Sequence, residues 1–266
     1  MKILKYIILG IIQGFTEPLP ISSSGHIRII KSIINDEVLS DLNFEIIVNF
    51  GSLIGIIILY RKEIISLIND FFRYIKTKSK KYEVNYKYAW MIIVGTIPVT
   101  ILGLFLKNIL ESNFTTKFIG LALLFTSFIL YLIKDKKGHK TKEKITIKDS
   151  IIIGLYQSIA LIPGISRSAS TIVGCMNQDL TRNDALNYSF MLYIPVSIAS
   201  FVLGITDIIN SKNINNLIIP YFISACFSLI VTYYSAKLFI NIIKKGKLIY
   251  FSIYCLIVGL IVFIVF

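Results

Sequence analysis

The sequence predicts an all-α polytopic membrane protein. It reads as an inverted repeat, each half one re-entrant helical hairpin plus three transmembrane helices. Three observations carry that prediction. First, 55% of the 266 residues are hydrophobic, only 16% are charged, and the mean hydropathy is +0.73. A soluble domain is nearer about 45–50% apolar and about 25% charged. Second, six stretches are long and apolar enough to cross about 30 Å of hydrocarbon, which takes roughly 20 residues. Third, two further apolar stretches are interrupted by Pro, Gly and Ser, and the interruptions resemble each other.

The elements follow in chain order. Residues 2–34 are apolar but broken by Glu17-Pro18-Leu19-Pro20 and then by Ser22-Ser23-Ser24-Gly25. Pro ends a helix, and at membrane depth the freed backbone groups are tolerated only inside protein or beside water. This stretch reads as a hairpin with its tip near mid-membrane. Residues 43–60 are the first span. In residues 62–76, Ile64, Ile65, Leu67, Ile68, Phe71, Phe72 and Ile75 alternate with Lys62, Glu63, Asp70, Arg73 and Lys76 at helical spacing. That pattern predicts an amphipathic interfacial helix. Residues 88–106 and 115–133 are the next two spans. Residues 150–178, broken by Pro163-Gly164 and Ser166-Arg167-Ser168, form a second hairpin, and 185–205, 217–240 and 247–266 are the remaining spans. No small-residue cleavage site precedes a polar start, so the N-terminus does not read as a signal peptide.

The two hairpins repeat. Gly10-Ile11-Ile12-Gln13 returns as Gly154-Leu155-Tyr156-Gln157, and Ile21-Ser22-Ser23-Ser24 as Ile165-Ser166-Arg167-Ser168, both 144 residues on. The chain is therefore read as one integral membrane domain over 1–266, with repeats at approximately 1–134 and 148–266.

Charge sets the topology. The net charge is +13, from 28 Lys+Arg against 15 Asp+Glu. Most basic residues fall in three blocks, over 61–87, 134–148 and 244–247. They lie between apolar stretches and not along one polar face, which argues against nucleic acid and places these loops in the cytoplasm. Counting spans from there, the first hairpin enters from outside and the second from inside. Lys2 and Lys5 are then mild exceptions on the outside. An odd number of spans per half inverts one half relative to the other, a transporter-like architecture. Cys175, Cys226 and Cys255 lie far apart in apolar surroundings and read as small buried hydrophobes. His139, among lysines, reads as a solvated loop residue.

Ionisable residues are scarce in the apolar stretches and gather at the breaks: Glu17 and His26 in the first, Arg167 in the second, with Glu45 at the start of a span. A charge in hydrocarbon costs at least ~2.5–3.5 kcal/mol on insertion scales and marks a function or a partner. Ser22, Ser23, Ser24, Ser166, Ser168, Ser170 and Thr171 crowd the same places. Hydroxyls, helix N-termini and an Arg fork together suit an oxyanion. Three chemistries are open. Ser23 attacks with His26 as base, His26 attacks directly, or water attacks with Glu17 as base. Glu17 is also a candidate metal ligand, with Gln13 one turn earlier adding an oxygen.

The segment from Gln13 to His26, QGFTEPLPISSSGH, resembles the signature of the undecaprenyl-diphosphate phosphatase, or bacitracin-resistance, family. The segment Pro163 to Thr171, PGISRSAST, resembles that family's second motif. The patches Phe44-Glu45 to Ser52 and Tyr188 to Pro195 are similar too, so the resemblance spans nearly the whole chain. It implies a bacterial cell-membrane hydrolase that converts undecaprenyl diphosphate to the monophosphate and phosphate. That reaction recycles the cell-wall lipid carrier and confers bacitracin resistance. By resemblance, Glu17, Ser23, His26 and Arg167 are catalytic, with Ser23 the nucleophile, His26 the base and Arg167 the phosphate-binding arginine. Gln13, Ser22, Ser24, Ser166, Ser168 and Thr171 are read as substrate-binding. The resemblance also implies a divalent cation (Mg2+ or Ca2+), a homodimer and a site open to the outer face. The sequence departs from the family pattern at Gln13, where many members carry Glu. Ala169 replaces a frequent Gly, and Asn187 stands where some members carry Glu. The rival readings are a lipid-phosphate transporter or flippase on the same architecture, and a sensor that binds a lipid phosphate without cleaving it.

Overall fold

The computed structural model describes residues 2–34, 42–110, 114–209 and 214–266. The described residues are helical throughout apart from turns, one short 3-10 segment and an isolated bridge. The helices are α1 (Lys2–Thr16), α2 (Ser23–Ile34), α3 (Leu42–Thr77), α4 (Lys80–Leu110) and α5 (Thr116–Leu132), then α6 (Ile147–Ile159), α7 (Arg167–Asn177), α8 (Arg182–Ile209), α9 (Ile214–Lys244) and α10 (Ile249–Val265). Four of them, α3, α4, α8 and α9, are long and apolar enough to cross a membrane, and α5 and α10 are apolar helices of 17 residues. The two halves carry the same order of elements: a short helix pair, then three longer helices. The second arms of the pairs begin at Ser23 and Arg167, which keeps the 144-residue offset of the sequence repeat.

Residues 62–76 are not a separate interfacial helix. They continue α3, which runs 36 residues, about 54 Å, without interruption. Between Tyr60 and Thr77 the sequence has neither Pro nor Gly, so nothing breaks the hydrogen-bond ladder at the apolar boundary. The helix stops at Lys78, whose φ of 53° turns the chain into α4. Beyond the span the two helices are held by an aromatic stack, with Tyr86 lying 5.1 Å from Phe71 and 4.4 Å from Tyr74 between ring centres.

The three basic loops meet at one end. Lys142 Nζ donates to Asn85 Oδ1 (3.4 Å), and the Arg182 guanidinium donates to the carbonyls of Lys136 (2.8 Å) and Lys134 (2.9 Å) and lies against Gly246. The α6–α7 pair starts at this end, at a capping box in which Thr146 Oγ1 accepts from Asp149 N–H and Asp149 accepts from Thr146 N–H. Burial works to raise the Asp149 carboxyl. The Thr146 N–H and Lys140 Nζ, at 3.0 Å, outweigh it and hold the group below the ordinary carboxylate range. The α1–α2 pair enters from the opposite end, where Lys31 Nζ meets Glu45 at 3.0 Å.

Small residues hold the bundle together. Without water to drive helices together in lipid, association depends on close packing and hydrogen bonds. Along α9, Ser224 donates to Tyr6 O (2.7 Å) and Ser235 to Gly14 O (2.8 Å) on α1, while Ser228 donates to Val48 O (2.8 Å) on α3. The partner helices carry Gly10/Gly14 and Gly51/Gly55, the spacing that lets backbones approach. A methyl group on Gly51 would lie 2.4 Å from Ala225 O. On the other side, α5 and α10 cross antiparallel. Ser127 donates to Ser252 O (2.7 Å) and Ser252 to Ser127 O (2.8 Å), and Gly120 and Gly259 face each other.

This packing is testable with matched glycines. Gly51→Ala lowers thermal stability by the cost of overpacking, about 1–3 kcal/mol. Gly103→Ala meets nothing closer than 3.7 Å and leaves stability unchanged or slightly raised. The check is the thermal midpoint of detergent-solubilised protein. Equal shifts for the two variants contradict the packing.

Candidate active site

Two helix interruptions build the site. In the first, Pro18 and Pro20 end α1 and lead to Ser22, whose φ of 68° is a left-handed value uncommon outside glycine. That turn points the Ser22 hydroxyl at Gly25 N–H (3.2 Å) and its carbonyl at His26 N–H (3.2 Å), so α2 begins with its first donors partly satisfied. In the second, Gly164 (φ 91°) turns the chain, and Ser166 caps α7 by accepting from Ala169 N–H (3.2 Å). The tips touch where Ser168 Oγ donates to Leu19 O (2.9 Å).

Across that contact lies the charge pair. Arg167 Nη2 bonds Glu17 Oε1, and Glu17 is only 7% exposed. The other carboxylate oxygen, Oε2, accepts from Gln13 Nε2 (2.8 Å) and from the Ser23 hydroxyl. One carboxylate therefore gathers an amide, a hydroxyl and a guanidinium from three helices. The guanidinium also sits over a ring of α8, its Cζ 3.8 Å from the centre of Tyr193. A cavity of about 180 Å³ opens beside the pair, lined by Glu17, Ser22, Ser23, Ser24, Asn49, Ser166, Arg167 and Ser168, with Leu19, Ala160 and Ile165 as its apolar wall. A narrow void lies beyond the pair, among Ile56, Ser189, Phe190 and Tyr193.

The other candidates stand differently. Gln13 is buried and touches the cavity only through Glu17. Thr171 does not line the cavity. It is buried, donates to Arg167 O (3.0 Å) and meets the Ser189 hydroxyl, so it supports the start of α7. His26 is not bonded to Ser23. Its Nδ1 lies 2.7 Å from Ser22 O, and a carbonyl only accepts, so Nδ1 carries the proton. The neutral ring then presents Nε2 as acceptor to the Tyr254 hydroxyl of α10 at 2.8 Å, with the two rings stacked 5.6 Å apart. The group that accepts the Ser23 proton here is Glu17. His139 is exposed and bonds Asp179, and the three cysteines are free.

The donor set does not suit a cation held by the protein alone. Among the described residues no three His, Cys, Asp or Glu side chains converge as metal ligands. Among the described residues Glu17 is the single carboxylate lining the cavity, and Arg167 occupies one of its oxygens. Asn49 and Tyr193 fall in the two patches that resemble the family, but the sequence assigns no role to them or to Tyr254. They sit inside apolar helices, where spacing reports a face but not what it meets.

Known proteins resemble this chain over nearly its whole length. The family model for bacitracin resistance protein BacA matches residues 6–261. A Bacillus cereus protein named undecaprenyl-diphosphatase 1 is 40% identical over 263 residues, covering 98% of this chain and 97% of the relative. A Bacillus licheniformis protein of the same name is 39% identical over 266 residues, covering 99% and 98%. An undecaprenyl-diphosphatase of Oceanobacillus iheyensis is 38% identical over 265 residues, covering 98% and 96%. A match of this extent, with both hairpin motifs facing one cavity, places the chain in the bacitracin resistance protein BacA family.

Proposed function

We propose that this protein hydrolyses undecaprenyl diphosphate to undecaprenyl phosphate and inorganic phosphate. The activity would recycle the lipid carrier of cell-wall synthesis and confer bacitracin resistance. The observation that carries this reading is the contact of Ser23 and Arg167 with one buried carboxylate at the wall of a polar cavity. Hydrolases of the same name among its relatives supply the substrate.

The chemistry follows from the hydrogen bonds. The diphosphate enters between the hairpin tips and competes with Glu17 for Arg167. The guanidinium fork and the Ser22, Ser24 and Ser168 hydroxyls take the charge that develops on the transferred phosphoryl group. Glu17, already accepting from Ser23, takes its proton as Ser23 Oγ bonds the terminal phosphorus. The bond to the bridging oxygen breaks, undecaprenyl phosphate leaves, and water releases phosphate from the serine. Water activated by Glu17 in place of Ser23 is the alternative that the same contacts support. His26 in this reading holds the Ser22 carbonyl and so the turn that presents Ser23. Among the described residues lining the cavity, Glu17 would be the carboxylate able to contact a divalent cation bound with the diphosphate, which would help neutralise the phosphate charge. The cavity lies on the Asn49 side of the charge pair, away from the basic loops. With basic loops in the cytoplasm, that is the outer face of the bacterial cell membrane. The assembly proposed with it, from the family resemblance, is a homodimer.

Two substitutions test the assignment by phosphate release from purified, detergent-solubilised protein. Arg167→Ala reduces release by a factor on the order of 10² or more, as loss of a single preorganised charge-stabilising donor does elsewhere. Near-normal turnover would reject the site. Ser23→Ala leaves at most trace activity if serine is the nucleophile, whereas substantial residual turnover assigns the attack to water. Intact substrate binding without any phosphate release by the wild type supports the transporter or sensor instead.

A further inference from the structure

Asn49 is the polar side chain of α3 that lines the cavity with Ser23, Ser24 and Arg167. The Tyr193 hydroxyl, on α8, approaches Asn49 Oδ1 at 3.4 Å and Asn49 O at 3.2 Å. The phenol has one hydrogen for these two oxygens, and the carbonyl end of the Asn49 side chain is the end turned towards Tyr193. The two N–H groups of Nδ2 are left without a protein partner among the described residues. A side-chain amide with its acceptor engaged and its donors at a cavity wall calls for an acceptor inside that cavity. A phosphate oxygen is such a group and carries no competing hydrogen. The same tyrosine has its ring against the Arg167 guanidinium at 3.8 Å. One buried side chain therefore orients two donors, one charged and one neutral, that line one cavity.

We propose that Asn49 is a further substrate-binding residue. Its Nδ2 donates to a phosphate oxygen of the anion that Arg167 holds, and Tyr193 is the positioning residue that turns the amide towards it. This rests on the reading that the cavity receives a diphosphate.

The test is kcat/KM for phosphate release from a prenyl diphosphate by the purified protein. Asn49→Ala lowers it about 10- to 100-fold, the range for a hydrogen bond to a charged group. Asn49→Asp is isosteric and lowers it further, because the carboxylate has no donor and repels phosphate. An Asn49→Asp variant as active as wild type overturns the proposal. Tyr193→Phe keeps the ring under Arg167 and removes only the hydroxyl. It costs several-fold in the wild-type background and nothing more in an Asn49→Ala background. Equal losses in both backgrounds overturn the positioning role of Tyr193. A wild type that releases no phosphate overturns the hydrolase reading and this proposal with it. An active wild type with an unaffected Asn49→Asp variant removes Asn49 alone.

Discussion

A buried carboxylate and the partly buried guanidinium paired with it, inside an apolar bundle, organise this molecule. Neither Glu17 nor Arg167 is tolerable alone at that depth. Removing one partner of a buried pair leaves an uncompensated charge, at a cost of about 3–5 kcal/mol in soluble proteins. Each charge sits at a helix interruption whose loose backbone groups also need partners. Bringing the two interruptions together answers both demands. The hairpins enter from opposite ends, their tips cross at Leu19 and Ser168, and the charges meet beside the crossing. The remaining helices enclose that meeting point. The Ser and Gly seams along α9, and between α5 and α10, set how closely they do so.

The same pair explains how structure becomes chemistry. An ion pair that served stability alone would be closed on all sides. Here Glu17 also accepts from Ser23, and Arg167 borders a cavity lined by hydroxyls. In the proposed reaction the carboxylate is a placeholder for the substrate's negative charge and the acceptor for the proton of Ser23. The Tyr193 ring keeps the guanidinium in place from the far side. These contacts preorganise positive charge before substrate arrives, which is the larger part of phosphoryl-transfer catalysis.

Much of this was legible in the sequence because charges and Pro-Gly-Ser breaks are rare in apolar segments. Glu17 and Arg167 stood out for that reason alone, and the 144-residue repeat tied their two segments together. The contacts that escaped reading are of another kind. Asn49 and Tyr193 are 144 residues apart and belong to helices that read as lipid spans. His26 lies three residues after Ser23 along the chain, and proximity suggests a base. The carbonyl of Ser22 and a tyrosine 228 residues away decided where the imidazole points. Residues 62–76 have the amphipathic pattern of an interfacial helix, yet lack any residue that would separate them from α3. Periodicity reports which face is apolar. It does not report where a helix stops or which side chain lies opposite.

The central claim is that Glu17 occupies, in the absence of substrate, the place on Arg167 that a diphosphate takes. Calorimetric titration of inorganic diphosphate into purified wild-type and Glu17→Gln protein, with divalent cations removed, measures this directly. Glu17→Gln should bind diphosphate more tightly, because the guanidinium is released from its internal partner, and turn over more slowly. Unchanged or weaker binding by Glu17→Gln would contradict it.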